Sequence, residues 1–229
     1  MFDYQYAYLI FNVFFFLIWL ALFLIRPDLR KKMLVMSLIV APLGFTQYFY
    51  FQDYWHPTYS LGTLFGIAGI EDILWSFFIG GITAVIYEEI FGIHYAKRHV
   101  KNHFFWMLGF SFFGVLGMFI GTMLLGFNSL YVSVAVLLIA GIILAFFRHD
   151  LLKDAIWSGL LVGGLMFIFY VIFCNTFFQG IIQSWWSLEN ISGVIIMGAP
   201  LEELMWAFSW GFIAGPTYEF MTGLKFKKK

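Results

Sequence analysis

GIEDILWSFFIGGITAVIYEEIFG, residues 69–92, and PLEELMWAFSWGFIAGPTYEFMTG, residues 200–223, are two versions of one segment. A constant offset of 131 aligns Glu71 with Glu202, Asp72 with Glu203, Trp75 with Trp206, Phe77 with Phe208 and Gly80 with Gly211. The same offset aligns Tyr87 with Tyr218, Glu88 with Glu219 and Gly92 with Gly223. Each copy is apolar and long enough to cross a bilayer, yet each carries an acid pair near its start and a Tyr-Glu near its end. An ionisable group in such a segment costs roughly 2.5–3.5 kcal/mol even on insertion scales. Matched acids in both copies therefore point to a function.

The surrounding chain has the composition of a membrane protein: 229 residues, 62% hydrophobic, 23% aromatic and 11% charged, where soluble domains carry about 25% charged residues. Spans of about 20 apolar residues are expected over 6–25, 33–51, 64–90, 104–125, 130–147, 155–178 and 193–221. Gly66, Gly69 and Pro200 are positioned to break the third and seventh near their starts. The N-terminal stretch lacks a basic region and a small-residue cleavage site, so it is expected to be retained as the first span. The thirteen Lys and Arg fall in IRPDLRKK, AKRHVK, RHDLLK and the tail KFKKK. With seven spans these all lie on one side, and the positive-inside rule makes that side cytoplasmic. The expectation is a multi-pass protein of the cell membrane, with its N-terminus outside and its C-terminus in the cytoplasm. The lone Cys174 permits no intrachain disulfide.

Over 52–92 against 183–223, 12 of 41 positions are identical. Further back the offset becomes 122, matching Arg26 with Arg148, Asp28 with Asp150 and Lys31 with Lys153, so the second copy holds nine extra residues in or beyond its middle helix. The expected fold is all-α: a polytopic bundle of seven transmembrane helices, built as two parallel three-helix repeats joined by a linker helix. The expected units are 1–95, 96–128 (the linker with the fourth span) and 129–229.

Depth separates the acids. Glu88, Glu89 and Glu219 lie 17 residues beyond the first acids, roughly 25 Å along a helix, and read as interfacial groups that snorkel or pair with Arg98 or Lys225. Glu71, Asp72, Glu202 and Glu203 have no cation on their side. Glu71, Trp75 and Phe78 share a helix face, as do Glu202 and Trp206. A carboxylic acid in an apolar pocket can donate a proton, an aromatic face can stabilise a cation, and a second carboxylate can take the proton back. That set suits carbocation chemistry on a hydrocarbon, with Glu202, Glu203, Glu71 and Asp72 as catalytic candidates. Trp75, Trp206, Phe77, Phe208 and Phe78 are the corresponding substrate-binding candidates. It requires no metal and no organic cofactor.

A Trp-bearing loop, a Gly, then Pro-x-Glu-Glu opening an aromatic-rich helix, twice in seven spans, resembles the membrane-integral lycopene cyclases. The matching positions are Trp55, Gly62, Glu71 and Asp72, then Trp186, Gly193, Pro200, Glu202 and Glu203. The resemblance implies a fused two-repeat carotenoid cyclase that turns the ψ ends of lycopene into β-ionone rings without redox change. The implied partners are a lipophilic carotenoid and membrane lipid, with no nucleic acid. Gly69 stands where the family motif has Pro, and Asp72 where it has the second Glu, so the second copy is expected to carry the chemistry. The competing class is a proton-coupled transporter using the same carboxylates. A retinal protein is disfavoured, since no Lys is expected inside a span. Asp150 and Asp154 form one D-x-x-x-D, read as a solvated loop rather than a diphosphate site.

Overall fold

The computed structural model describes residues 4–99 and 103–226; Lys101, Lys227, Lys228 and Lys229 of the basic clusters lie outside them. The chain folds as an all-α polytopic membrane protein. The first repeat comprises α1 (Ala7–Ile25), α2 (Arg30–Val40), a 3-10 segment Ala41–Thr46, the single turn α3 (Gln47–Tyr50) and α4 (Ile70–Phe91). The linker helix is α5 (Phe104–Met118), extended by a π-helical segment Phe119–Leu124. The second repeat comprises α6 (Ser129–Phe147), α7 (Leu152–Phe169) with a π-helical segment Tyr170–Phe177, the short α8 (Ile181–Trp185) and α9 (Leu201–Thr222). Six of these stretches are long and apolar enough to cross a membrane. The seventh, α9, has the same length as α4, 22 residues, but is less apolar, with Trp210, Pro216 and Thr217 where α4 has Ile79, Val85 and Ile86, and most of its residues are buried in the bundle.

The repeat holds helix by helix. Residues Ala7–Ile25 of α1 and Ser129–Phe147 of α6 are separated by 122 at both ends; Ile70–Phe91 of α4 and Leu201–Thr222 of α9 are separated by 131 at both ends. The nine extra residues fall in and after the middle helix, which runs Arg30–Tyr50 (21 residues) in the first copy and His149–Phe177 (29 residues) in the second. The helices α4 and α9 sit side by side at the centre, α1 and α2 flank α4, α6 and α7 flank α9, and α5 packs outside α6.

Equivalent residues meet across the centre at three levels. At one end Trp55 and Trp186 form an isolated antiparallel backbone bridge, with His56 N–H donating to the Trp185 carbonyl at 2.7 Å and Ser187 N–H to the Tyr54 carbonyl at 2.9 Å. In the middle the Trp75 and Trp206 rings lie 5.5 Å apart. At the other end Glu88 and Glu219 both accept from Lys32. Self-pairing at three levels with α4 and α9 running the same way places the repeats about a pseudo-twofold axis along the bundle.

Small residues allow the close approach. A Cβ on Gly211 would lie 2.8 Å from the Cα of Gly159, so α9 and α7 touch backbone to backbone. Gly117 and Gly121 of the linker leave room for the side chains of Val136 and Val132 of α6. The expected breaks before the third and seventh spans are hairpins: β1 (Thr63–Leu64) with β2 (Ala68–Gly69), and β4 (Ile195–Ile196) with β5 (Ala199–Pro200). Their turns place Phe65 (φ 55°), Gly66 (φ 68°), Met197 (φ 49°) and Gly198 (φ 88°) in the left-handed region, which ends helical winding. The helices therefore begin at Ile70 and Leu201, not at 64 and 193. At the opposite end β3 (Tyr95–His99) pairs with β6 (Leu224–Phe226).

Candidate functional site

Each acid pair opens its helix, and its two members turn to different surroundings. The first members grip loops. Glu71 accepts from the Ser60 hydroxyl at 2.7 Å and from Leu61 N–H at 2.6 Å. Glu202 accepts from the Tyr131 hydroxyl at 2.8 Å and from Ser192 N–H at 2.9 Å. Leu61 and Ser192 are themselves 131 apart, so the two clamps are one device used twice. The second members, Asp72 and Glu203, line cavities.

The cavity that Asp72 lines is about 200 Å³ and lies between α2, α4, α9 and the linker helix α5, with walls that include Met36, Ile79, Phe110 and Val136. A second cavity of about 110 Å³ lies on the other side of the axis and is lined by Glu203 together with Tyr8, Tyr54, Tyr170 and Trp186. Both cavities are lined by Gln47, Tyr50, Trp75 and Trp206. The two acids thus stand on one bipartite apolar space with the Trp75–Trp206 pair at its waist. Trp206 is held by its Nε1 donating to the Tyr50 hydroxyl at 3.1 Å. Among the described residues, no Lys, Arg or His lines either cavity, so the space can accommodate positive charge only through carboxylates and ring faces.

The expected acid–aromatic set is therefore assembled with one change. Trp75 and Trp206 reach the cavities from one helical turn beyond Asp72 and Glu203, not beyond Glu71 and Glu202 as face-sharing alone suggested. Phe78 packs on Phe16 and Trp19, Phe77 on Trp19, and Phe208 against Gly159 and Phe212, all outside the two cavities. Sequence reasoning missed Tyr8 and Tyr54, whose hydroxyls donate to Asp72 and to Glu203 respectively, the latter at 2.7 Å. Isolated tyrosines in interfacial stretches carry no periodic signal. Trp186, whose Nε1 donates to Glu203 at 2.8 Å, was visible as the motif's loop Trp but without a role.

The surroundings of Asp72 and Glu203 diverge because of the residue that begins each helix. Gly69 caps α4 and its N–H donates to Asp72 Oδ2 at 2.7 Å. Pro200 caps α9 and has no N–H. Glu203 lacks that donor and takes its partners from other elements, Tyr54 before the first hairpin and Trp186 after α8.

The Tyr-Glu end corrects the interfacial reading. Glu88 and Glu219 are fully buried, and Lys32 Nζ, 2% exposed, donates to them at 2.5 and 2.8 Å. Their cation is Lys32 because α2 delivers it directly onto the axis; Glu89 instead pairs with Arg26 at 2.9 Å at the rim. Lys32 therefore lies inside a span, and its two carboxylate partners at the end away from the cavities hold it as an ammonium. Asp154 is likewise buried rather than solvated, accepting from Ser158 at 2.9 Å, while Asp150 pairs with Arg148 at 2.8 Å near the surface. The Arg26 and Arg148 guanidiniums donate to the Glu88 and Glu219 carbonyls, at 3.4 and 3.1 Å, so these basic residues cluster at one end.

In comparison with known families, the model described as Lycopene cyclase matches residues 5–90 and again 128–221, skipping the linker helix. No curated protein and no solved structure matches the chain.

Proposed function

The chain belongs to the lycopene cyclase family, and from that premise we propose that it closes the ψ end groups of lycopene to β-ionone rings inside the bilayer, by acid–base catalysis without redox change. The observation that carries this reading is the pairing of two acids, Asp72 and Glu203, on an apolar space lined by no cation among the described residues, whose waist is the tilted Trp75–Trp206 ring pair. An acid there protonates C2 of the end group. The C5=C6 π pair attacks the C1 cation, and a carboxylate removes the C6 proton. Trp75 and Trp206 offer ring faces to the migrating positive charge. Glu71 and Glu202 hold the hairpin loops that frame the acids.

The reading places the N-terminus outside and the basic end, with Arg26 and Arg148, in the cytoplasm. The acids then lie near the outer leaflet, and the polyene enters from lipid beside α5, the least buried of the apolar spans. The transporter alternative needs a polar path along the axis. No Asp, Glu, His, Lys or Arg lies between Asp72 and Glu88 or between Glu203 and Glu219, and Ile79, Ile82, Trp210 and Ala214 fill that stretch. Expression in a lycopene-accumulating bacterium tests the proposal by pigment analysis: ring-bearing carotenoid is expected, and lycopene left unchanged overturns it.

A further inference from the structure

The two cavities occupy equivalent places but differ in shape. We infer that the Asp72 cavity is the berth of the polyene, which lies along the bundle with its reacting end at Asp72, and that the counterpart on the other side of the axis is closed to lipid by phenylalanine. The inference rests on the cyclase reading above and adds where and how the substrate lies.

The berth is a slot rather than a chamber. On α9 its wall is Trp206, Trp210, Ile213, Ala214 and Thr217, one stripe of that helix, and on α5 Met107, Gly114 and Met118 mark a second stripe. Residues 206 to 217 and 107 to 118 each rise roughly 16 Å, and the void of about 200 Å³ is drawn out along them. Among the described residues that line it, Asp72 is the one charged side chain, and it stands at the Trp75–Trp206 end. The hydroxyls of Thr46, Ser133 and Thr217 donate to the carbonyls of Leu43, Leu130 and Ile213 at 2.6–2.7 Å. Those walls are left to present hydrocarbon.

The slot also has an open side. Val115 of α5 is 41% exposed, and Ile39 and Leu43 of α2 are half-buried, although all three line it. A chain longer than the slot passes out between α2 and α5 into lipid.

The counterpart is shut by rings. At offset 122, Phe11, Phe14, Phe15 and Ile18 of α1 correspond to Ser133, Val136, Leu137 and Ala140 of α6, and all four of the α6 residues line the slot. On the α1 side, Phe11 meets Phe169 of α7 at 4.9 Å, Phe14 meets Phe173 at 4.9 Å and Phe15 meets Phe169 at 5.2 Å. Phe11, Phe15 and Phe169 are at most 4% exposed. Phe15 also sits edge-on to Trp75 at 6.2 Å, so the plug backs the waist. A smaller side chain at every matched position empties one side of a duplicated bundle and leaves the other packed. An empty apolar slot forfeits the contacts of its walls, and a hydrocarbon rod restores them.

The test is expression of the full chain in a lycopene-accumulating bacterium. Three quantities are read: the pigment formed, the carotenoid that co-elutes with purified protein, and the thermal transition. Gly114→Phe fills the slot from α5, where a Cβ meets only Val136 Cγ1, at 3.9 Å. Ser133→Phe fills it from α6 with the ring that Phe11 carries in the other copy. Gly109→Phe is the control, on α5 but outside the slot, with nothing within 4 Å of its Cβ. Wild type and Gly109→Phe are expected to form rings and retain carotenoid, and folded Gly114→Phe and Ser133→Phe to lose both. Ring formation that survives, whole or in part, in both folded slot variants overturns the single berth and leaves the cyclase reading standing. Equal losses in Gly109→Phe and Gly114→Phe also overturn it, because the loss then follows α5 and not the slot. A wild type that retains lycopene unchanged, with retention lost in both slot variants, upholds the berth and overturns the cyclase reading.

Discussion

Lys32 of α2 and Asp154 of α7 occupy the same place in the two repeats, 122 residues apart, and put an amine in one copy and a carboxyl in the other on fully enclosed side chains. With Glu88 and Glu219, which are also repeat equivalents, they form a buried group of one cation and three acids on the pseudo-twofold axis. The single ammonium is the only feature of the group that breaks the symmetry. Removing one partner of a buried charge set strands the others, whereas neutralising the set costs much less.

Lys32→Met is therefore expected to destabilise the fold by about 3–5 kcal/mol, and Lys32→Met with Glu88→Gln and Glu219→Gln to recover most of that loss. Thermal unfolding in detergent measures both, and equal transitions for the single and triple variants would contradict the charge argument.

Symmetry makes a sharper demand. Lys32→Asp leaves four acids and no cation, and is expected to abolish folded protein. Adding Asp154→Lys to it moves the ammonium to the equivalent place, between the same two glutamates, and is expected to restore folded protein as judged by monodisperse yield. A double variant as deficient as the single one would show that position, not charge, is what matters.

The waist of the cavities should govern rate more than fold. Trp75→Ala or Trp206→Ala removes a ring face worth about 0.5–2 kcal/mol to a cation, or roughly 2- to 30-fold in ring formation. Phenylalanine at either position is expected to retain part of the rate. Pigment conversion by the four variants, at matched protein levels, checks this order.

Glu71→Gln and Glu202→Gln should weaken a loop clamp rather than remove a proton carrier. Each is expected to cost about 1–3 kcal/mol of stability through its hydrogen bonds, while ring formation persists. Loss of cyclisation in a folded Glu202→Gln protein would move the chemistry to the first acid of the pair.

Gly211→Ala is expected to destabilise by about 1–3 kcal/mol by overpacking, because its Cβ would press on Gly159. Gly164→Ala meets nothing within 4 Å and serves as the control; thermal transitions of the two variants decide the matter.

Much of this architecture was legible in the residues. The offsets of 122 and 131 located equivalent helices to the residue, since a duplicated bundle must conserve the spacing of its contacts. Charge asymmetry and apolar length marked the spans. What could not be read was which way adjacent acids turn. Residues 71 and 72 differ by about 100° on a helix, and only the hairpin that ends at Gly69 decides which of them meets a loop N–H and which meets the cavity. Burial of Glu88 and Glu219 was misread for a related reason: depth along a helix says nothing of rotation about it, and Lys32, at the head of α2, was counted with the surface cluster Arg30–Lys31 beside it. Tyr8 and Tyr54 act across 64 and 149 positions of sequence, beyond any local pattern.

The placement of the ammonium also orders events during synthesis. The first repeat contains both Lys32 and Glu88, so its buried charges are balanced as soon as α4 has left the ribosome and entered the membrane. The second brings Asp154 and Glu219 with no cation of its own in that group, and these acids find their ammonium only in a half already made. Assembly is therefore expected to be directional, with the C-terminal half completing its buried charge group on an N-terminal half already in the membrane.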